Sequence, residues 1–377
     1  MKKIIAILLA LATLFSLSAC KKKYYAVEST DEESRTVMTF SIDGKEYAVK
    51  YELYRAFFLT YKSTVDGGNP DVWTSEDNAG YVNRINGMII ERISEIYAAF
   101  AICERIGFDV YSKSVEKQIK EEIKAIVEAK MDDDALYGDG DYTYEDYLAE
   151  LKSNYLNYSV QTLMIRYSIA MSAINDYYIG TADVNDVGYD MKLGALEFTK
   201  DDVRAFYFGD DCARVLISSF QKIISYTPEE MANEIKANLT AAAASEYTPE
   251  EKEATVFNAI ISSGFFSNGA EIENGYVIAR YNLDKRYYGE MTDSVFSIPE
   301  GEVTDPISIV TAEENSYYVI YRSYKSEAHF EANYNEVLYV YLTNRVGEIT
   351  NNVARELMSG VSFSATFTDI DYSKIGM

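Results

Sequence analysis

The chain has 377 residues, a formal net charge of -25, three cysteines and one histidine, which leaves no ligand set for a multi-histidine or thiolate zinc centre. Any metal would be a hard cation held by carboxylates, and no cofactor is expected. The acid excess argues against a nucleic-acid partner, because phosphate backbones are held by clustered Lys and Arg.

The first twenty residues place Lys2 and Lys3 before an apolar run from Ile4 to Phe15, followed by Ser16, Leu17, Ser18, Ala19 and Cys20. That is the pattern of a secretory signal, and the run is too short to span a bilayer. Loss of residues 1–19 removes two basic residues and no acid, leaving 33 basic and 60 acidic side chains, a charge of -27. Lys21, Lys22 and Lys23 follow Cys20, where anionic headgroups would attract them. Residues up to 37 read as a polar tether. Cys103 and Cys212 remain, one possible pair and no disulfide framework, and both are expected as buried thiols.

Met38 to Val49 alternates loosely around Asp43-Gly44, which predicts a hairpin. From there to about residue 180 the period is helical. Ile85, Met88, Ile89, Ile93, Ile96, Tyr97 and Phe100 form one stripe, and Val115, Ile119, Ile123, Ile126 and Val127 another. A third joins Val160, Leu163, Met164, Tyr167, Met171, Ile174 and Tyr178. Between the second and third, Asp139, Asp141, Thr143 and Glu150 have the spacing of a calcium loop, but Tyr144 stands where the sharp turn needs Gly. An acidic helix connection is expected there, and no metal site.

Thr199-Lys200-Asp201-Asp202 predicts a helix start. Short strands are predicted at Ala213 to Ser218, Tyr276 to Tyr281 and Ser316 to Arg322, with helices opening at Thr227-Pro228 and Thr248-Pro249. This mixture is α+β. A last stripe, Leu338, Leu342, Val346, Ile349, Val353 and Leu357, must be buried somewhere, most simply against the first helices, which makes the α+β part an insertion. The 34 tyrosines suit an amphipathic cleft for unfolded chains, or reflect genome composition.

Three stretches carry a resemblance. Ala101 to Val110 followed by Ser114 to Ile119, and Phe198 to Tyr207, are two. The third and most specific runs through Tyr288-Gly289-Glu290-Met291, Val295-Phe296-Ser297-Ile298, Gly301-Glu302-Val303, Asp305-Pro306-Ile307 and Tyr317-Tyr318-Val319-Ile320. Together they resemble the extracytoplasmic foldases of the PrsA and SurA type. The resemblance implies an α+β protein with a helical chaperone domain, built from N-terminal helices plus a returning C-terminal helix, and an inserted parvulin-like α+β domain. Separately, Leu17-Ser18-Ala19-Cys20 resembles the lipobox of bacterial lipoproteins, which implies that the signal peptide covers 1–19 and that a lipidated tether over 20–37 starts at Cys20. The foldase resemblance implies a chaperone domain over 38–200. The parvulin-like domain takes 201–325 and the returning helix 326–377.

The implied function is that of a chaperone on the outer face of a bacterial membrane, partnered by newly exported polypeptides and by the membrane through its lipid. An active parvulin-type prolyl isomerase is the alternative, and a solute-binding lipoprotein a third, disfavoured by the long helical run. The resemblance implies histidines where this chain has Val215 and Tyr318. Isomerisation breaks no covalent bond and needs only a pocket that favours the twisted amide. Val215, Met291, Phe296 and Tyr318 are the candidate substrate-binding residues, with core packing as their other reading. No catalytic residue is assigned.

Overall fold

The computed structural model describes residues 31–75, 77–138, 140–180, 194–221, 228–244, 246–263, 276–280, 285–310 and 315–375. The export signal, Cys20, Lys21 to Lys23, the start of the tether and Asp139 lie outside the described residues. The chain is α+β and forms two compact units. Unit 1 comprises the described residues up to Met171 together with those from Val353 onward, and unit 2 is the continuous stretch Ser172–Asn352.

Unit 1 opens on the hairpin expected from the sequence, β1 (Thr36–Ile42) and β2 (Lys45–Lys50), antiparallel. Asp43 and Gly44 both have positive φ, 52° and 76°, the primed turn whose twist matches the strands it joins. Helices α1 (Tyr51–Asp66), α2 (Ala79–Arg105), α3 (Lys113–Tyr137), α4 (Tyr144–Ser153) and α5 (Tyr158–Tyr178) follow, the last continuing into unit 2. The α2 stripe is buried at Ile85, Ile89, Ile93, Ile96, Tyr97 and Phe100, while Met88 is half-buried. Val115, Ile119, Ile123 and Val127 of α3 pack with Tyr147 and Leu151 of α4 and with Ile165 and Ile169 of α5. Thr143 caps α4 through a reciprocal pair with Asp146. Glu150 is bonded by Lys130 and the Tyr142 hydroxyl, which hold its carboxyl below the usual range. The calcium-like spacing is therefore taken up by helix capping and an ion pair.

The chain returns to unit 1 near its end. Two residues, β7 (Ser362–Phe363), pair with Met38 and Thr39 of β1, giving the sheet order β2-β1-β7. The short helix α12 (Ala365–Thr368) brings Phe367 edge-on to Tyr54, and the Tyr372 hydroxyl accepts from Asn86.

Unit 2 holds α6 (Lys200–Phe208), β3 (Cys212–Gln221), α7 (Pro228–Ala243), α8 (Pro249–Ser263), β4 (Tyr276–Ala279), α9 (Lys285–Ser297), β5 (Ile307–Val310), β6 (Asn315–Ser323), α10 (Glu327–Ala332) and most of α11 (Tyr334–Ser359). Thr199 caps α6 with Asp202, and Thr248 caps α8 with Glu251, as their spacing predicts. The strands form one antiparallel sheet in the order β4-β3-β6-β5. Leu216, Val319 and Tyr321 on one face pack against Met231, Ile235 and Leu239 of α7 and Val256 and Ile260 of α8. Gly301 turns the chain toward β5 at φ +87°, where an added Cβ would collide with the Tyr324 hydroxyl. Along α11, Leu338, Leu342, Val346, Val353 and Leu357 are buried and Ile349 is half-buried.

Candidate functional site

Strand alternation decides which side chains share a face. On β3, Leu216 belongs to the helix-covered face just described, so Ala213, Val215 and Ile217 belong to the other. Ala213 and Val215 are buried there with Ile307 of β5 and Ile320 of β6, under Met291 and Val295 of α9, and Ile217, Tyr276, Ile278, Phe296 and Tyr318 pack on their edge. All four residues singled out from the sequence thus fall in one cluster, contributed by β3, α9 and β6.

Their environments differ. Val215 and Met291 are closed core, 0% and 2% exposed, whereas Phe296 and Tyr318 are half-buried. Val215 stands between Tyr276 of β4 and Arg322 of β6, and Tyr318 between Ser219 of β3 and Ile307 of β5. The two positions where the resemblance implies histidines are therefore on one face but four residues apart along the strands, roughly 13 Å at ~3.3 Å per residue.

Phe296 is held by cations. The Arg280 guanidinium lies 4.5 Å from its ring centre and that of Arg322 5.6 Å. Arg322 also donates from Nη1 to the carbonyls of Ile298, at 2.5 Å, and Val295, at 3.4 Å, so it caps the C-terminus of α9. Arg280 is tied through Nε to Asp211 at 3.0 Å. Sequence reasoning missed Val295 and Arg322, although both were signalled. Val295 is four residues after Met291 on a helix, and Arg322 alternates in phase with Tyr318 and Ile320 on a strand.

The floor of this face is hydrocarbon, and it offers shape and apolar contact. Apart from Arg280 and Arg322, the polar groups Arg214, Lys325 and His329 are committed elsewhere. Arg214 forms a bidentate pair with Glu253, which also accepts from Ser323. Lys325 donates to the carbonyls of Gly209 and Cys212 at 2.8 and 3.1 Å. His329 lies in α10 and is buried, its Nδ1 2.9 Å from the Tyr207 hydroxyl with the two rings stacked. It is not part of the cluster. Cys103 and Cys212 are both free, buried thiols, and burial pushes each up to about 12, which leaves neither a nucleophile near neutral pH. Among the described residues no group of three or more His, Cys, Asp or Glu could hold a metal, and no helix is long and apolar enough to cross a membrane.

No family model and no curated protein matches the chain. Solved structures are similar to it, among them three of PrsA. The foldase protein PrsA from Streptococcus pneumoniae str. Canada MDR_19A is 12% identical over 85% of this chain and 92% of its own, with a TM-score of 0.23. PrsA from Bacillus subtilis is 12% identical over 92% of this chain and 100% of its own, at 0.21. The peptidylprolyl isomerase PrsA from Bacillus cereus is 11% identical with the same coverage, at 0.20.

Proposed function

We propose that the chain is an exported chaperone of the foldase kind, anchored to the outer face of a bacterial membrane through a lipid on Cys20, which holds newly exported polypeptides. Unit 2 is read as its parvulin-like module, with the half-buried Phe296 and Tyr318 at the substrate-binding face and Val215 and Met291 as the closed core beneath them. The observation that carries the reading is the convergence of these four residues, named from sequence alone, on one sheet face. Its partners are unfolded polypeptides and, through the lipid, the membrane. Nucleic acid is not among them, given the charge of -25.

The test is aggregation of an unfolded exported protein in the presence of the chain. Suppression at stoichiometric ratio is expected, and an unchanged rate would sink the proposal.

A second reading, an active prolyl isomerase, is favoured by the hydrocarbon floor, since a twisted amide is less polar than a planar one and needs no proton donor to reach. NMR exchange on a proline peptide separates the two. No acceleration is expected under the first reading, and acceleration under the second. Acceleration that disappears in a folded Phe296→Ala variant, at a half-buried ring, would establish the enzyme.

A further inference from the structure

Unit 1 contains a cavity of about 190 Å³, remote in sequence from the sheet face of unit 2. Its apolar walls are Leu53 of α1, Tyr97 of α2, Tyr111 of the α2–α3 connection, and Val160 and Leu163 of α5. Tyr111 is 50% exposed, so the cavity reaches the surface beside that ring.

Polar side chains at its edge are bonded to the protein itself, Lys50 to Thr36 among them, except Thr162, whose Oγ1 is buried without a hydrogen-bond partner among the described residues. Glu52 accepts from Asn157 at 2.9 Å and Ser159 at 2.6 Å. Arg166 donates to the Val110 carbonyl at 2.5 Å and to Glu116 at 2.7 Å, and lies 4.6 Å from the Tyr111 ring centre. The Tyr97 hydroxyl donates to the Ala48 carbonyl. What these groups leave for a visitor is hydrocarbon and ring surface with one hydroxyl, that of Thr162.

The volume selects the visitor. Sites for whole small molecules usually run ~300–1,000 Å³, which this cavity does not reach. An apolar cavity of ~150 Å³ takes one benzene ring, and two tyrosine walls suit edge-to-face or offset ring contacts. We infer that the cavity seats a single aromatic side chain, phenylalanine or tyrosine, of a bound polypeptide. The inference rests on the reading of the chain as a polypeptide binder and gives it a specificity: clients are gripped at aromatic residues.

The experiment is fluorescence anisotropy with the full chain and a labelled, extended, proline-free peptide carrying one central Phe, against the same peptide with Ala there. Burial of one aromatic ring predicts binding about ten- to a hundredfold tighter for the Phe peptide. Leu163→Trp, which fills the cavity, is expected to remove that difference, and Tyr111→Ala, which removes a wall at the surface, to reduce it independently. Circular dichroism checks that each variant is folded. Equal binding of the two peptides by the parent chain, or full discrimination by a folded Leu163→Trp, overturns the assignment. If the chain suppresses aggregation yet fails to discriminate, the cavity alone is misassigned. If it neither suppresses aggregation nor binds either peptide, the functional reading falls with it.

Discussion

Asp66 ends α1 as a buried carboxylate serving three donors: Lys62 Nζ at 2.9 Å, the Trp73 indole N–H at 2.7 Å and the Gly68 N–H at 2.8 Å. Burial alone raises its pKa, but the bonds from Lys62, Trp73 and Gly68 outweigh that and hold the carboxyl below the usual range. A carboxyl depressed in the folded state contributes stability above its unfolded value of ~3.9, and the contribution is lost as pH falls through the lower, folded value. Trp73 is the chain's one tryptophan, so its emission reports the site. We expect that emission to hold steady down to the ordinary carboxylate range and to shift only below it. Asp66→Ala strands a buried indole N–H and should lower stability by ~1–3 kcal/mol, seen as a red-shifted emission and an earlier denaturant midpoint. An unshifted spectrum in that variant would show that Phe58, 5.0 Å from the Trp73 ring centre, fixes the indole unaided. None of this was legible beforehand, since residues 66 to 73 have no period. Met291 and Val215, by contrast, sit in regular elements whose alternation assigns them to a face.

At the scale of the element, α9 depends on a strand residue for its end. It has no basic residue in its last turn, and Arg322 supplies the missing cation from β6. Arg322→Met keeps the apolar stem but removes the donors to the Val295 and Ile298 carbonyls, at an expected cost of ~1–3 kcal/mol. Hydrogen exchange of the α9 amides should quicken more than that of α7. Arg280→Met, at a side chain 41% exposed, should change it far less. Equal exchange in α9 and α7 after Arg322→Met would rule out the capping role. Elements of this kind were well read where a local signal exists: Asp43-Gly44 for the hairpin, Thr199 with Asp202 and Thr248 with Glu251 for helix starts. The strand β7 was not, because two residues carry no alternation and their partner is β1, at the opposite end of the chain.

For the whole molecule the governing quantity is the charge of -25. Isolated surface ion pairs such as Lys117 with Glu121 contribute at most ~1 kcal/mol each, whereas unmatched acids repel throughout the compact state. Raising ionic strength from ~0.01 M to ~0.15 M shortens the screening length from ~30 to ~8 Å, and the thermal midpoint should rise. A fall would mean that the ion pairs outweigh the repulsion. At this scale the order of helical and α+β parts was legible from periodicity. The crossings between the units were not, since they fall inside α5 and α11, where the helical period runs on without a break.

The pairing of β7 with β1 also imposes an order of events. Unit 2 is one uninterrupted stretch, while unit 1 needs the residues after Val353. Chains are made amino end first. Every segment of unit 2 is therefore synthesised before the last strand of unit 1 exists, and β1 waits with one edge unpaired until Ser362 and Phe363 arrive. A chain ending with α11 would hold every strand of unit 2 but only the β1–β2 hairpin of the sheet in unit 1.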